Sequence, residues 1–351
     1  MTRIPVTILT GFLGAGKTTL LNRLIGEPGF GDSAIIVNEF GEVGIDGGLI
    51  APGDERAFAM STGCLCCTSA GDVRLTLLHL LEQAELGTGP SFDRVIIETT
   101  GIADPAPVLQ TFMTNRYMLS RFVLNGVVTL VDAVNGPYAI DRFEEARRQI
   151  ALADLLVVTK SDLDGGADTQ SDALRLETML TLLNPNARIL DAGQVTAETA
   201  FSLAAFDPAG KPPDVRAWLR FDHAAHDHHH DVNRHGDTAT AYCFSATGPV
   251  DPKGLDDAIT ELQTTFGPDL LRMKGLVELA GYPGAPRSVH VVGPVTSPPR
   301  LLDGWPDGIG ETRLVLIVGG PARETAPEVL MAALPQLHAL KATTGSPEVA
   351  A

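Results

Sequence analysis

The chain has 351 residues, enough for two compact domains, and 44% of them are hydrophobic, so packed cores can form and wholesale disorder is excluded. Its 43 acidic against 26 basic residues give a net charge of -17 at pH 7, a surface that repels phosphate backbones and anionic membranes and argues against either as partner. Three of the four cysteines crowd into Cys64, Cys66 and Cys67, which is no secreted disulfide framework and favours a metal or redox role in a reducing compartment.

Met1-Thr2-Arg3 runs straight into Ile4–Leu9 without the long apolar region and cleavage site of a secretion signal. No stretch approaches the roughly 20 apolar residues that span a bilayer, so a cytoplasmic protein is expected. Val6–Leu9 reads as a strand buried on both faces, because its apolar run lacks polar alternation. It leads into Gly11-Phe12-Leu13-Gly14-Ala15-Gly16-Lys17-Thr18, which fits G-x-x-x-x-G-K-[ST], and Lys17–Ile25 reads as the helix that this motif opens. The motif is a phosphate loop in that setting. Gly11, Gly14, Ala15, Gly16 and Thr19 belong to the nucleotide cradle, where backbone N–H groups and the helix N-terminus face the β-phosphate. Lys17 would reach the β- and γ-phosphates and the Thr18 hydroxyl would hold Mg²⁺. A dinucleotide fingerprint fails, since Thr19 stands where its third glycine belongs.

A second strand, Ala34–Val37, precedes Asn38-Glu39-Phe40-Gly41-Glu42-Val43-Gly44-Ile45-Asp46, whose acids and glycines suit a switch that senses the γ-phosphate or a plain acidic loop. Whether Glu39, Glu42 or Asp46 places water, magnesium or a second metal stays open at this level. Gly63-Cys64-Leu65-Cys66-Cys67 concentrates thiolates suited to Zn²⁺, Cu⁺ and similar ions, with a missing ligand available from Glu39, Glu42, a histidine, water or a partner. Buried apolar cysteines, a redox pair and a thiol site for Fe–S assembly are the competing readings. Asp72–Leu86 reads as a helix with Leu75, Leu78, Leu81 and Leu86 on its apolar side.

The strand Val95–Ile97 ends in Glu98-Thr99-Thr100-Gly101, where Glu98 can hold the magnesium shell and Gly101 can present its N–H to a γ-phosphate. Val127–Val131 and Leu155–Val158 are further strands, and the latter runs into Thr159-Lys160-Ser161-Asp162. A carboxylate at Asp162 accepts from guanine N1–H and its exocyclic amine, a pair adenine cannot make, while the Lys160 stem packs along the base. The usual guanine element opens with asparagine, where this chain has Thr159.

Composition then shifts. Residues 206–238 carry Pro208, Pro212 and Pro213 and a His/Asp-rich tract that includes His226, His228, His229 and His230, read as a linker or exposed loop with weak, multiple affinity for zinc, nickel or cobalt. Ala239–Ser245, Leu276–Leu279, Ser288–Val292 and Leu314–Val318 read as strands beyond it. Leu255, Ile259, Leu262 and Phe266 mark a helix face, and Pro327–Leu340 a final helix interrupted at Pro335. Cys243, His79, His290 and His338 sit in strand or helix patterns and read as structural. The expected architecture is a P-loop NTPase domain with a doubly wound, mostly parallel sheet over 1–205, the linker at 206–238, and a smaller α+β domain over 239–342.

G-F-L-G-A-G-K-T-T-L-L-N, N-E-F-G-E-V-G-I-D, G-C-L-C-C, E-T-T-G and T-K-S-D occur here in the order found in CobW-like GTPases, relatives of the UreG and HypB metallochaperones, and the chain resembles that family. Leu270–Gly275 and Thr312–Val315 resemble landmarks of the CobW C-terminal domain, so the likeness spans nearly the whole sequence. The resemblance implies a GTPase using GTP and Mg²⁺ and coupled to delivery of Zn²⁺, with Co²⁺ or Ni²⁺ as alternatives. Lys17 and Thr18 would carry phosphate and magnesium, Cys64, Cys66 and Cys67 the transition metal, and Asp162 the base. The expected partner is a client metalloprotein docking at the C-terminal domain, and the chain could also form oligomers. Cobalt insertion or activation of one metalloenzyme is the first alternative function, and a His-tract metal store or sensor the second.

Overall fold

The computed structural model describes residues 3–27, 29–37, 57–61, 71–162, 169–201, 203, 239–305 and 310–340. The chain divides into two compact units, each with its own sheet.

In the first unit, β1 (Ile4–Gly11), α1 (Lys17–Ile25), β2 (Ser33–Val37), β3 (Ala57–Ser61), α2 (Gly71–Leu86) and β4 (Arg94–Glu98) are followed by α3 (Ala106–Thr114), α4 (Arg116–Arg121) and β5 (Phe122–Asp132). Then come α5 (Gly136–Arg142), α6 (Glu144–Ala151), β6 (Leu155–Thr159), α7 (Thr169–Leu183), β7 (Arg188–Asp191) and α8 (Ala197–Phe201). The strands order as β3-β2-β4-β1-β5-β6-β7, every neighbouring pair parallel. Apolar side chains are buried on both faces: Leu9, Ile35, Ile96, Val128 and Val157 pack with Leu20, Leu21 and Leu24 of α1 and Ala197, Ala200 and Phe201 of α8. Ile8, Ile36, Ile97 and Leu156, pointing the other way, are equally buried. Two-sided burial is why these strands read as unbroken apolar runs. The register pairs Leu9 with Glu98, Gly11 with Leu130 and Asp132 with Thr159, so the ends of β1, β4, β5 and β6 meet at one carboxyl edge. In open α/β sheets that edge, where the strand order reverses beside β1, holds the ligand.

The second unit contains β8 (Ala239–Ala246), α9 (Pro252–Phe266), β9 (Leu270–Val277), β10 (Arg287–Val292), β11 (Val295–Thr296), β12 (Arg300–Leu301), β13 (Arg313–Gly319), α10 (Ala326–Ala333) and β14 (Leu337–Ala339). Its antiparallel sheet orders as β11-β10-β9-β13-β8-β14, with β12 beside β10. One face packs Phe244, Met273, Val277, Val289, Leu314 and Leu316 against Leu255, Ile259, Leu262 and Phe266 of α9 and Leu330 of α10.

Three expectations need correction. The apolar side of α2 is Val73, Leu77, Leu80 and Leu81, whereas Leu75 is 58% and Leu86 69% exposed. The strand expected at 276–279 is only the tail of β9, which starts at Leu270 and ends at Val277, and its earlier residues include Arg272 and Lys274, charged yet buried. The long final helix is α10 alone. Its last residues precede Pro335, which disfavours helical backbone before it, and the chain resumes as β14 paired with β8. Glu39, Glu42, the Cys64, Cys66 and Cys67 element, the segment 206–238 with its histidines, and the tail beyond 340 lie outside the described residues.

Candidate nucleotide site

The loop between β1 and α1 is shaped by backbone that only glycine adopts freely. Gly14 and Gly16 have φ of 72° and 88°, and Gly16 is the N-cap of α1. No side chain caps that helix and its first turn has no acid, so its leading N–H groups keep their affinity for an anion. Lys17 folds back over the loop, its Nζ donating to the Gly11 carbonyl at 2.9 Å and the Phe12 carbonyl at 3.5 Å. The loop is braced outside by the Phe12 ring against Phe143 at the start of α6, with centroids 4.7 Å apart.

Across from the loop, the ends of β1 and β4 are clamped by the Thr99 N–H donating to Leu9 O at 2.9 Å and the Thr99 hydroxyl donating to Thr10 Oγ1 at 2.7 Å. That clamp brings Glu98, only 4% exposed, to Thr18, whose hydroxyl donates to Glu98 Oε1 at 2.8 Å. Two hard oxygen donors held this close beside a phosphate loop suit the chemistry of Mg²⁺. Gly101 follows and lies directly on the loop. A Cβ there would sit 2.7–2.8 Å from Leu13 Cδ2, Cα and N, so any larger residue would displace the loop.

The base side is built on β5 and β6. The Thr159 hydroxyl donates to the Ala15 carbonyl at 2.9 Å, tying the T-K-S-D turn to the phosphate loop. That bond gives the threonine a positive role in place of the expected asparagine. Lys160 is the sole non-glycine residue at positive φ among the described residues, at 59°. Its Nζ donates to Asp132 Oδ2 at 2.7 Å. Burial works against ionising Asp132, but hydrogen bonds from Lys160, the Asn135 side chain and the Asn135 and Val134 N–H groups outweigh it and hold the carboxyl below its ordinary range. Asp162 stands exposed at the same edge. Ser161 donates to Asp191 Oδ2 at 2.5 Å, and Asp191 caps the Gly193 N–H at 2.8 Å. Arg23 of α1 donates to the carbonyls of Ala192 and Val195 at 2.8 and 2.7 Å.

Lys17, Thr18, Glu98, Gly101, Lys160 and Asp162 therefore share one edge of the sheet. Sequence reasoning overlooked Asp132, Asp191 and Arg23, which lie outside any motif. The acid ending β5, one strand from T-K-S-D, was the available signal for Asp132. Among the described residues no group of three or more His, Cys, Asp or Glu could hold a metal ion, and no helix is long and apolar enough to cross a membrane.

The comparisons with known proteins decide the family. The model of the CobW/HypB/UreG nucleotide-binding domain matches residues 5–191, from β1 to the end of β7, and that of the cobalamin synthesis protein cobW C-terminal domain matches residues 239–334. This chain belongs to the CobW/HypB/UreG family of P-loop GTPases. It is 34% identical to the zinc chaperone YjiA of Escherichia coli over 284 residues, 81% of this chain and 84% of that one. It is 30% identical to the zinc chaperone CobW of Pseudomonas aeruginosa over 355 residues, covering 90% and 88%. The crystal structure of Zn(II)-bound YjiA GTPase from E. coli superposes with a TM-score of 0.71 at 27% identity, covering 95% of this chain and 99% of that one. The CobW-type C-terminal match covers the antiparallel unit from β8 through α10 and stops before β14.

Proposed function

We propose that the protein is a GTP-hydrolysing zinc chaperone whose nucleotide state governs its hold on the metal. The observation that carries the reading is the Thr18–Glu98 pair at 2.8 Å beside the phosphate loop, in a chain similar over most of its length to two zinc chaperones. Lys17 swings from its loop carbonyls onto the β- and γ-phosphates, and the Gly14–Thr19 backbone cradles the β-phosphate. Thr18 and Glu98 hold Mg²⁺, which when bound neutralises charge developing on the phosphates. The Gly101 N–H faces the γ-phosphate, Asp162 accepts from guanine, and Lys160 lies along the base. Catalysis is then positioning and electrostatics, as phosphoryl transfer requires.

Zinc is the cargo. Cys64, Cys66 and Cys67 supply its thiolates, with Glu39 or Glu42 completing the set, and His226, His228, His229 and His230 of the 206–238 linker collect metal. The domain over 239–342 docks a client metalloprotein in the cytoplasm. Support comes from the likeness to zinc chaperones and from the suitability of thiolates for Zn²⁺.

Zinc affinity measured by chelator competition, on protein loaded with a non-hydrolysable GTP analogue and then with GDP, tests the reading. Coupling between sites is typically worth about 5–150-fold in affinity. A shift of that size, abolished by Cys66→Ala, supports the nucleotide-gated carrier. Equal affinities sink zinc gating, and the same shift seen with cobalt alone transfers the reading to cobalt insertion.

A further inference from the structure

Gln149, in the last turn of α6, is 1% exposed and joins elements that no motif connects. Its Nε2 donates to the Gly101 carbonyl at 3.2 Å and to the Ala103 carbonyl at 3.0 Å. Its Oε1 is buried and accepts no hydrogen bond from any described residue. A half-satisfied buried amide is destabilising relative to an apolar side chain of the same shape, so its presence calls for a reason beyond packing. The α6 backbone at this point is itself fixed, since the Thr129 hydroxyl of β5 donates to the Gln149 carbonyl at 2.9 Å. The neighbouring Arg148 adds an ion pair to Asp104 at 3.4 Å.

The two carbonyls matter because of what they orient. The peptide that carries the Gly101 N–H also carries the Thr100 carbonyl, and that carbonyl accepts the Ala103 N–H at 3.2 Å. The plane is anchored on one side by the Thr99–Thr10 clamp and on the other by Gly101 and Ala103, both gripped by Gln149. Glycine would otherwise leave this plane free to turn. Gln149 also lines a cavity of about 30 Å³ together with Phe12, Leu13 and Ala15 of the phosphate loop.

We propose that Gln149 is a positioning residue for GTP hydrolysis, holding the Thr100–Gly101 peptide so that its N–H meets the γ-phosphate. The proposal rests on the reading of Gly101 as a γ-phosphate contact. A group that aligns a γ-phosphate donor acts on GTP and on the transition state and leaves GDP alone.

The test uses the full chain with Gln149→Met, which keeps the shape and removes the donor, and Gln149→Glu, whose carboxyl donates only when protonated. Single-turnover hydrolysis is measured with affinities for GDP and for a non-hydrolysable GTP analogue. For Gln149→Met the expected result is GDP affinity within about 2-fold of the parent, with analogue affinity and kcat lowered about tenfold or more. For Gln149→Glu, kcat relative to the parent should climb as pH falls from about 8 to about 6, because two carbonyls in a buried site favour the protonated acid. Unchanged kcat and unchanged GTP-over-GDP preference in Gln149→Met overturn the proposal, as does equal loss of GDP and analogue affinity. Should Gln149→Met fail to fold, a flat relative pH profile for Gln149→Glu overturns it alone. A semisynthetic chain with glycolic acid in place of Gly101, which turns the N–H into an ester oxygen and adds no Cβ against Leu13, is run in parallel: if it leaves kcat and analogue affinity intact, the reading of Gly101 falls, whereas loss there with none in Gln149→Met removes the Gln149 proposal only.

Discussion

At the residue scale, the base-side hydrogen bonds carry the clearest consequences. Thr159→Val removes the hydroxyl that holds Ala15 and leaves that carbonyl without it, at a cost of about 1–3 kcal/mol. Weaker GDP binding with an unchanged overall fold, read by titration calorimetry and circular dichroism, is the expected outcome. Asp132 gives a pH dependence of definite sign. Its folded-state carboxyl is held below the ordinary 3.8, so the native state is favoured by its ionisation above that value. The contribution disappears as pH falls through the lower folded value. In urea titrations Asp132→Asn should therefore be less stable than the parent at neutral pH, and the gap should close in acid. Equal stability at both extremes would refute the ion pair's role. Cys243 behaves oppositely to a metal thiolate: burial pushes its thiol up to about 11. In a Cys64→Ala, Cys66→Ala, Cys67→Ala variant, iodoacetamide labelling of the remaining thiol should be slow at neutral pH and accelerate only toward that value.

At the element scale, α2 shows how apolar content and apolar face differ. The helix is leucine-rich all round, so its sequence permits more than one stripe. Packing buries Val73, Leu77, Leu80 and Leu81, spaced as one helical face. Leu77→Ala should cost about 2–5 kcal/mol in chemical denaturation, whereas Leu75→Ala, at an exposed position, should change stability by under about 0.5 kcal/mol. The reverse ranking would mean that α2 packs by its other side. In α6 the element does two jobs, since it buries Ala146 and Ile150 while turning Gln149 and Arg148 toward the segment after β4.

At the scale of the whole molecule, the two units have separate cores, one around a parallel sheet and one around an antiparallel sheet. A ligand confined to the first sheet's carboxyl edge stabilises that unit by mass action, by about 2.7 kcal/mol at a hundredfold excess over Kd. For a domain of this size each kcal/mol raises Tm by roughly 2–4 °C. Differential scanning calorimetry with GDP should show that rise, and Lys17→Ala should abolish it. No rise in the parent protein would remove the assignment of the nucleotide to this edge.

The fold class and the linear elements of the site were legible because their determinants are local. A phosphate loop is specified by glycines and a lysine at fixed spacing, and a doubly buried parallel strand by an unbroken apolar run, so β1, β2, β4, β5 and β6 could be read directly. Tertiary structure alone decided which face of α2 is buried, that β9 carries Arg272 and Lys274 inside, and that the chain after Pro335 pairs as a strand. It alone joined Thr159 to Ala15, Lys160 to Asp132 and Gln149 to Gly101, contacts spanning 144, 28 and 48 residues. Sequence spacing records what neighbours along the chain can do, while these partners become neighbours only once the sheet has set its strand order.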